Sequence, residues 1–313
     1  MSSEQENPLQ VVDISEINQR TADELLNAAT SQGFLFVEGH EFTEEEVDLL
    51  FKVSKDFFAL PAEYKEKYPI DNTNHGYTNY GGENLDPSLQ KQGDPKEALN
   101  FCNLDFTTVK FPTGSMKKKL DPKILALALK IEDSADCPGT QWFNSRYQPD
   151  KPSGSTFRFL HYPGQKSLNP ESVIRAGAHT DYGSVTLLFQ QENQEGLEIY
   201  SPVAKKWQPV PYVSANSAKF PVVNIADQLS YWTGGILKST IHRVKFPQKV
   251  QETGQDRYSI VFFSHPNDDA LLEPVPSEIV RSVKNRGANS ATNVITAKEH
   301  LDKRLAATYG WSY

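Results

Sequence analysis

The most informative segment of this sequence reads Ala178-His179-Thr180-Asp181-Tyr182-Gly183, and the strand-like run Val185-Thr186-Leu187-Leu188 follows it almost directly. Side chains on a strand point to alternate faces, so residues two apart share a face. His179 and Asp181 can therefore bind one metal ion together. An imidazole and a carboxylate are two of the three ligands of the facial triad that holds non-haem Fe(II) and leaves coordination positions open.

A third ligand is available in His242, which lies 61 residues after Asp181 at the start of another β-type run. A sheet that folds back on itself can bring the two segments together. A His-x-Asp pair alone occurs by chance in many chains, so the distal histidine is what makes the iron site specific. A zinc hydrolase is disfavoured, because this pattern lacks the helical His-Glu-x-x-His arrangement and its general base.

Arg257 and Ser259 form a second pair of residues two apart on a predicted strand. A guanidinium offers two coplanar donors that match a carboxylate, and the neighbouring hydroxyl adds one more hydrogen bond. Alone, Arg257 would be interpreted as a surface arginine paired with an acid. Tyr162, on the strand before the metal pair, can supply a further hydroxyl. The pair predicts a site for a carboxylate ligand.

Short β-type runs separated by turn residues fill the chain from Thr156 onward and predict a sandwich or barrel. They cover residues 156–162, 185–189, 197–200, 222–225, 242–246 and 258–263. The first third of the chain instead predicts helices around one early strand at 34–37, and long loops over 70–119. Three capping boxes are predicted to begin helices: Thr21 with Glu24, Thr43 with Glu46, and Thr296 with Glu299.

The composition excludes several classes of protein. The 313 residues are 38% hydrophobic, with 40 acidic and 32 basic side chains, so the net charge of −8 disfavours nucleic acid and anionic membrane surfaces. Two cysteines cannot make a disulfide framework, which favours a reducing compartment. The polar, acidic N-terminus and the absence of a long apolar run predict a cytoplasmic protein. No obligate protein partner is evident.

The remaining histidines are given ordinary structural roles. His40, His75, His265 and His300 are expected to be solvated or capping groups, since each stands beside loop or helix residues. His161 alternates with Phe157 and Phe159, which predicts a hydrogen-bonded core histidine. The same alternation places Arg158 on the opposite face, and we expect it to lie outside.

Together these motifs resemble the 2-oxoglutarate and Fe(II)-dependent dioxygenases of the isopenicillin-N-synthase-like type. The resemblance is carried by His179 through Gly183 with Thr186-Leu187-Leu188, by Gly196-Leu197-Glu198-Ile199, by Trp232-Thr233-Gly234-Gly235 with Lys238 through Val244, and by Arg257-Tyr258-Ser259. It extends to Gly33 through Val37, Phe57 through Pro61 and Gly76-Tyr77, so nearly the whole chain is covered.

The resemblance implies a mainly β fold with flanking α-helices. Its core would be a distorted double-stranded β-helix, or jelly-roll, over residues 151–270. A helical N-terminal region would cover 1–150, and an extension ending in a helix would cover 271–313. It also implies that His179, Asp181 and His242 bind Fe(II).

In the same way, the resemblance implies that Arg257 and Ser259, helped by Tyr162, bind the distal carboxylate of 2-oxoglutarate. Phe263, Tyr77 and Tyr80 are candidates for the substrate pocket by analogy, although aromatic residues are as common in cores as in pockets.

Three departures from the plant members stand out. Leu160 occupies the place of an asparagine, which removes or replaces one polar contact to the co-substrate. Ala226 replaces a glycine before Asp227, which we interpret as structural. Finally, 15 residues separate His242 from Arg257, and this longer spacing predicts a lengthened hairpin.

The activity implied by the resemblance is oxidation of a small organic molecule, most simply its hydroxylation, with O2 consumed and succinate and CO2 released. The resemblance also allows ascorbate as a reductant. Two alternatives remain open: an iron oxidase of the same fold that does not use 2-oxoglutarate, and a metal-binding jelly-roll that has lost catalysis. Substrate identity, the choice between hydroxylation and desaturation or ring closure, and the oligomeric state are beyond the sequence.

Overall fold

The computed structural model describes residues 7–102, 123–164, 174–215, 218–246, 248–284 and 294–311. The strands in these ranges are β1 (Gln10–Asp13), β2 (Phe34–Glu38), β3 (Gly76–Thr78), β4 (Glu97–Cys102), β5 (Thr156–Tyr162), β6 (Ile174–His179), β7 (Val185–Phe189), β8 (Leu197–Tyr200), β9 (Trp207–Pro209), β10 (Ser214–Ala215), β11 (Ala218–Lys219), β12 (Val222–Ile225), β13 (His242–Lys245) and β14 (Arg257–Ser264). The helices are α1 (Gln19–Ser31), α2 (Glu44–Phe58), α3 (Ala62–Lys65), α4 (Lys123–Ala128), α5 (Asp227–Trp232), α6 (Gln248–Thr253), α7 (Glu278–Lys284) and α8 (Ala297–Tyr309).

Two sheets form the core of the molecule. The larger has eight strands in the order β1-β2-β12-β7-β14-β5-β4-β3, and the smaller has four in the order β6-β13-β8-β9. Side chains from both sheets line one cavity. This mainly β architecture with flanking helices is the jelly-roll that the resemblance implies, and the early strand and the six predicted from Thr156 onward are all present.

Cross-strand pairing brings together residues that are distant in the sequence. In the small sheet His242 on β13 pairs with His179 on β6. In the large sheet Arg257 on β14 pairs with Tyr162 on β5. These antiparallel registers place the two predicted histidine ligands on one sheet and the predicted carboxylate site on the other.

The N-terminal region adds strands to the large sheet as well as helices around it. β1 to β4 all come from the first 102 residues. The prediction of uninterrupted loops over 70–119 is therefore wrong for β3 and β4, while its last part lies outside the described residues. Pairing with β5 stabilises β4 despite its mixed sequence, because tertiary contacts outweigh local preference. The division of the chain into three regions stays a prediction.

Helix capping follows the sequence at two of the three predicted boxes. Thr43 with Glu46 and Thr296 with Glu299 each exchange both hydrogen bonds at the start of α2 and α8. The box predicted at Thr21 is wrong, because the side chain of Asn18 accepts from the backbone N–H of Thr21 and caps α1 instead.

Strand β5 is covered on both faces. Phe157 and Phe159 pack with the hydrophobic cluster that includes residues of α1 and α2. Arg158, Leu160 and Tyr162 face the other way and line the cavity. The expectation that Arg158 lies outside is therefore wrong: alternation separates two faces, and the second face of this strand is the cavity rather than solvent.

No helix within the described parts of the chain is both long enough and apolar enough to cross a membrane.

Trp232 at the end of α5 is fully buried, with its ring 5.3 Å from Trp142 and its Nε1 donating to the Leu271 carbonyl at 2.9 Å. We predict that Trp232→Ala lowers the free energy of unfolding by about 3–5 kcal/mol, through the cavity and the unpaired carbonyl that it leaves. Urea unfolding measures this. The neighbouring change Tyr231→Ala, at a side chain that is 37% exposed, should cost less than about 1 kcal/mol. Equal losses in the two variants would contradict the prediction.

His161 confirms the prediction of a hydrogen-bonded core histidine. Its Nδ1 lies 2.7 Å from Glu97 and its Nε2 lies 2.9 Å from Asp256, and its ring stacks on Tyr258. Burial opposes protonation, but the hydrogen bonds to Asp256 and Glu97 outweigh it and raise the pKa of His161.

Because the pKa of His161 is raised in the folded state, its protonated form stabilises the fold. This contribution is complete at pH values below the unfolded pKa of ~6.5, and it is lost as pH rises through the folded pKa. We therefore predict that His161→Gln costs more unfolding free energy at pH 6 than at pH 9, measured by urea titration. Asp256→Asn, which removes one of the two carboxylates, should reduce the same pH dependence. A cost for His161→Gln that is equal at both pH values would refute the assignment.

Candidate active site

Three potential metal ligands meet at one end of the small sheet. Oδ1 of Asp181 lies 3.7 Å from Nε2 of His179 and 3.5 Å from Nε2 of His242. The ligand atoms of all three side chains lie within 4.8 Å of one another. His179 ends β6 and Asp181 stands in the turn after it, so the pair converges at a strand end rather than along a strand.

Each histidine is oriented by a backbone carbonyl two residues earlier. Nδ1 of His179 donates to Gly177 O at 2.7 Å, and Nδ1 of His242 donates to Thr240 O at 3.1 Å. Because a carbonyl can only accept, the proton is on Nδ1, and the lone pair of Nε2 points to the shared centre. This arrangement fixes the tautomer that a metal requires.

The carboxylate of Asp181 is held through its other oxygen. Oδ2 accepts from Thr186 Oγ1 at 2.6 Å and from Asn224 Nδ2 at 2.8 Å, while Oδ1 is left facing the histidines. Thr186 and Asn224 are cross-strand partners on β7 and β12. Sequence reasoning assigned neither residue a role, although a single asparagine within the apolar run Val222–Ile225 is a signal that a buried polar partner is needed.

Electrostatics favour metal binding at this point. Burial would raise the pKa of the Asp181 carboxyl, but attraction to His242 outweighs it and holds that pKa well below its usual range. Burial, with the neighbouring His242, lowers the pKa of His179 to about 4. The same attraction to Asp181 raises the pKa of His242, so a divalent cation that binds here displaces the proton on His242 and takes over its interaction with the carboxylate.

The predicted carboxylate site lies in the same cavity. Arg257 and Ser259 are each 1% exposed, and both line the cavity with Tyr162. Nε of Arg257 donates to Gln194 O at 3.0 Å, and its guanidinium carbon lies 4.9 Å from the centre of the Tyr162 ring. Nη1 of Arg257 and Oγ of Ser259 have no hydrogen-bond partner among the described residues. Two buried donors without partners indicate a missing acceptor.

Leu160, which stands where plant members carry asparagine, lies opposite Ser259 across β5 and β14 and also lines the cavity. This part of the wall is apolar, together with Leu188, Leu197 and Val261. Contacts to a ligand here would therefore be apolar except at the arginine, serine and tyrosine.

The three aromatic candidates for the substrate pocket are placed differently. Phe263 on β14 lines the cavity. Tyr77 instead packs in the core cluster and donates its hydroxyl hydrogen bond to Glu97, and Tyr80 is 48% exposed. Neither tyrosine is among the cavity-lining residues, because β3 lies at the far edge of the large sheet.

A buried ionic network forms another part of the cavity wall. Glu83 accepts from both terminal nitrogens of Arg158 at 3.2 and 2.9 Å and from Tyr309 Oη at 2.7 Å, and Lys96 Nζ lies 2.8 Å from it. Helix α8 adds Leu301 and Leu305 at helical spacing to the same wall. The sequence offered no pattern linking these residues, since they come from separate segments.

His265 is buried and His300 is half-buried, contrary to the expectation of solvated or capping groups. His265 is 5% exposed and lines the cavity, and burial lowers its pKa to about 3. Burial also lowers the pKa of His300. The expectation was wrong because it judged each histidine by its sequence neighbours, whereas His300 lies on α8, and this helix packs against the part of the cavity wall that contains His265.

The arrangement can bind one divalent cation through two neutral nitrogens and one carboxylate oxygen, and a carboxylate ligand beside it. This incomplete donor set leaves coordination positions open, as redox chemistry with O2 requires.

Comparison with known proteins agrees with this geometry. The family model described as non-haem dioxygenase in morphine synthesis N-terminal matches residues 9–113, and the 2OG-Fe(II) oxygenase superfamily model matches residues 153–266. The chain is 32% identical to UPF0676 protein C1494.01 of Schizosaccharomyces pombe, over 96% of this chain and 92% of that protein. It is 30% identical to proline hydroxylase buaE of Petromyces alliaceus, over 91% of this chain and 92% of that protein.

Among solved structures, a full-length Neurospora crassa protein in complex with alpha-KG superposes with a TM-score of 0.74 at 27% identity, covering 98% of both chains. The family uses Fe(II), 2-oxoglutarate and O2. With its His-Asp-His cluster and its fold, this chain belongs to the 2-oxoglutarate and Fe(II)-dependent oxygenase superfamily and is a 2-oxoglutarate-dependent dioxygenase.

Proposed function

We propose that this enzyme hydroxylates a small organic molecule with release of succinate and CO2, and that it does so with the residues predicted from the sequence. In this proposal His179, Asp181 and His242 hold Fe(II). Arg257 and Ser259, with Tyr162, bind the distal carboxylate of 2-oxoglutarate.

The observation that carries the proposal is that two buried donors, Nη1 of Arg257 and Oγ of Ser259, have no partner within the part of the chain that the structure describes. Both side chains are buried in the cavity that also contains the His-Asp-His cluster. An unpaired guanidinium nitrogen in the interior is costly, and a carboxylate supplies the planar acceptor that satisfies it. Burial lowers the pKa of Arg257, but a guanidinium still stays charged at neutral pH.

The metal cluster fits Fe(II) for an independent reason. Hydrogen bonds to Gly177 and Thr240 fix the histidine tautomers, and those from Thr186 and Asn224 orient Asp181, so all three ligands are arranged before a metal binds. When bound, the iron with 2-oxoglutarate supplies the O2-dependent oxidising chemistry. The protein's own contribution is to bind and orient the co-substrate and to keep bulk water away with Leu160, Leu188 and Val261.

One titration distinguishes the proposed dioxygenase from the two alternatives, which are an oxidase that does not use 2-oxoglutarate and a binding protein without catalysis. Apoprotein receives Fe(II) and then 2-oxoglutarate without oxygen, and the weak visible charge-transfer band of the chelate is followed. No substrate need be known. Fe(II) binding without the band would favour the oxidase, and absence of iron binding would favour the binding protein.

We predict that Arg257→Ala weakens 2-oxoglutarate binding roughly 100-fold in this titration, since it removes a charge-assisted hydrogen bond from a buried site. Iron affinity should stay unchanged, because Arg257 contacts none of the three ligands among its described hydrogen bonds. His179→Ala serves as the opposite variant, and should lose iron binding and turnover together. A chelate band of normal affinity in Arg257→Ala would contradict the co-substrate assignment, and normal turnover in His179→Ala would contradict the metal assignment.

The hydrogen bond from Thr186 to Asp181 gives a prediction about positioning. Thr186→Val keeps the side-chain shape but removes the donor, so Asp181 loses one of its two orienting contacts. We predict that Fe(II) affinity falls about 10–100-fold, as is usual when a partner of a metal ligand is lost. Competition with a chromophoric chelator under anaerobic conditions measures the affinity. Thr186→Ser retains the hydroxyl and should restore binding, and an unaltered affinity in Thr186→Val would show that the contact is dispensable.

A further inference from the structure

Arg158 lies on the cavity face of β5, four residues before Tyr162 and hence about 13 Å along the strand. It is 8% exposed, and its two terminal nitrogens bind Glu83. Its Nε has no hydrogen-bond partner among the described residues. The cavity therefore contains a buried cationic donor that neither the metal cluster nor the 2-oxoglutarate site uses.

Glu83 cannot provide a further contact to a ligand. Its two oxygens receive Arg158, the Tyr309 hydroxyl and Lys96, and Lys96 also bonds Asp94 at 2.8 Å. Attraction to Arg158 and Lys96 outweighs the effect of burial and holds the pKa of Glu83 well below its usual range, so it stays ionised. Its role is to fix the guanidinium and leave Nε as the available donor.

The charges around the cavity cancel. Among the described residues, three carboxylates and three cationic side chains form its wall or bond directly to it: Glu83, Asp94 and Asp181, with Lys96, Arg158 and Arg257. In the loaded enzyme the double positive charge of Fe(II) is matched by the double negative charge of 2-oxoglutarate. A charged substrate would bring an uncompensated charge into a buried site whose own charges already cancel, which is unfavourable.

The cavity that Arg158 lines also has apolar surface, beside polar side chains such as Asn74, Thr156 and Tyr309. Leu301 and Leu305 of α8 line the cavity together with Phe263 of β14. Apolar surface combined with a few fixed polar groups is typical of a site for a small, mostly apolar molecule with an orienting polar group.

On the basis of the function proposed above, we infer that the substrate is an uncharged small molecule with a hydrogen-bond acceptor, such as a carbonyl or ether oxygen. Nε of Arg158 is the donor that recognises this acceptor, and the Glu83 network positions the guanidinium.

The test uses the full-length protein with Fe(II) and 2-oxoglutarate and six-membered-ring probes of similar size. Three probes are neutral acceptors: δ-valerolactam, cyclohexanone and tetrahydropyran. Two are ionised at neutral pH: piperidine, a cation, and cyclohexanecarboxylate, an anion. Succinate formation is measured with each probe and without one, and the anaerobic chelate band is recorded in parallel.

We expect at least one neutral probe to raise succinate formation about tenfold over the probe-free rate, and the ionised probes to leave it near that rate. Arg158→Lys keeps the charge balance and an ammonium group for Glu83 but lacks the guanidinium donor. It should lose this stimulation while the chelate band persists. Arg281→Lys, in a surface ion pair with Glu132, is the matched control and should behave as the wild type.

The outcomes separate the two proposals. If the wild type forms the chelate band but responds equally to ionised probes, or to none of the neutral ones, the substrate class is wrong. Full stimulation in Arg158→Lys overturns the assignment to Arg158. If that variant fails to fold, the wild-type comparison of neutral with ionised probes still decides the substrate class. Absence of the chelate band in the wild type instead refutes the proposed function, and the inference that rests on it falls with it.

Discussion

One oxygen of the Asp181 carboxylate accepts hydrogen bonds from Thr186 and Asn224, while the other faces Nε2 of both His179 and His242. This single carboxylate links the two sheets, because Thr186 and Asn224 belong to the large sheet and the histidines to the small one. If the sheets shifted relative to each other, the carboxylate could not satisfy both sets of partners. The metal site therefore depends on the packing of the whole jelly-roll.

The pairing of β5 with β14 determines which polar side chains face the cavity. Arg257 and Ser259 come from one strand and Arg158 and Tyr162 from the other, all on the inner face. Each arginine has a nitrogen without a partner among the described residues, but Arg158 is also bound to a carboxylate whereas Arg257 donates to a backbone carbonyl. The guanidinium of Arg257 suits an anionic co-substrate. The guanidinium of Arg158, whose charge is balanced by Glu83, suits an uncharged molecule. The same residue type thus serves two different ligands in our proposals, according to its neighbour.

Two-residue spacing was sufficient to select candidate residues that the structure brings together. His179 with Asp181, and Arg257 with Ser259, were identified from two-residue spacing and lie in one cavity in the structure. The same reasoning failed for Arg158, because strand alternation separates two faces without showing what covers each of them. It also overlooked Asn224, whose polar side chain in an apolar strand has a partner only after β12 pairs with β7.

By itself the sequence determined the class of fold, the candidate metal-ligand set and the candidate carboxylate-binding pair, since these depend on residue type, on two-residue spacing and on motifs that resemble a known family. Only the tertiary structure decided which groups complete the cavity. Glu83, Arg158 and Tyr309 meet from distant segments, and helix α8 closes over them. Contacts of this kind depend on the packing of elements far apart in the chain, and no local periodicity encodes that packing.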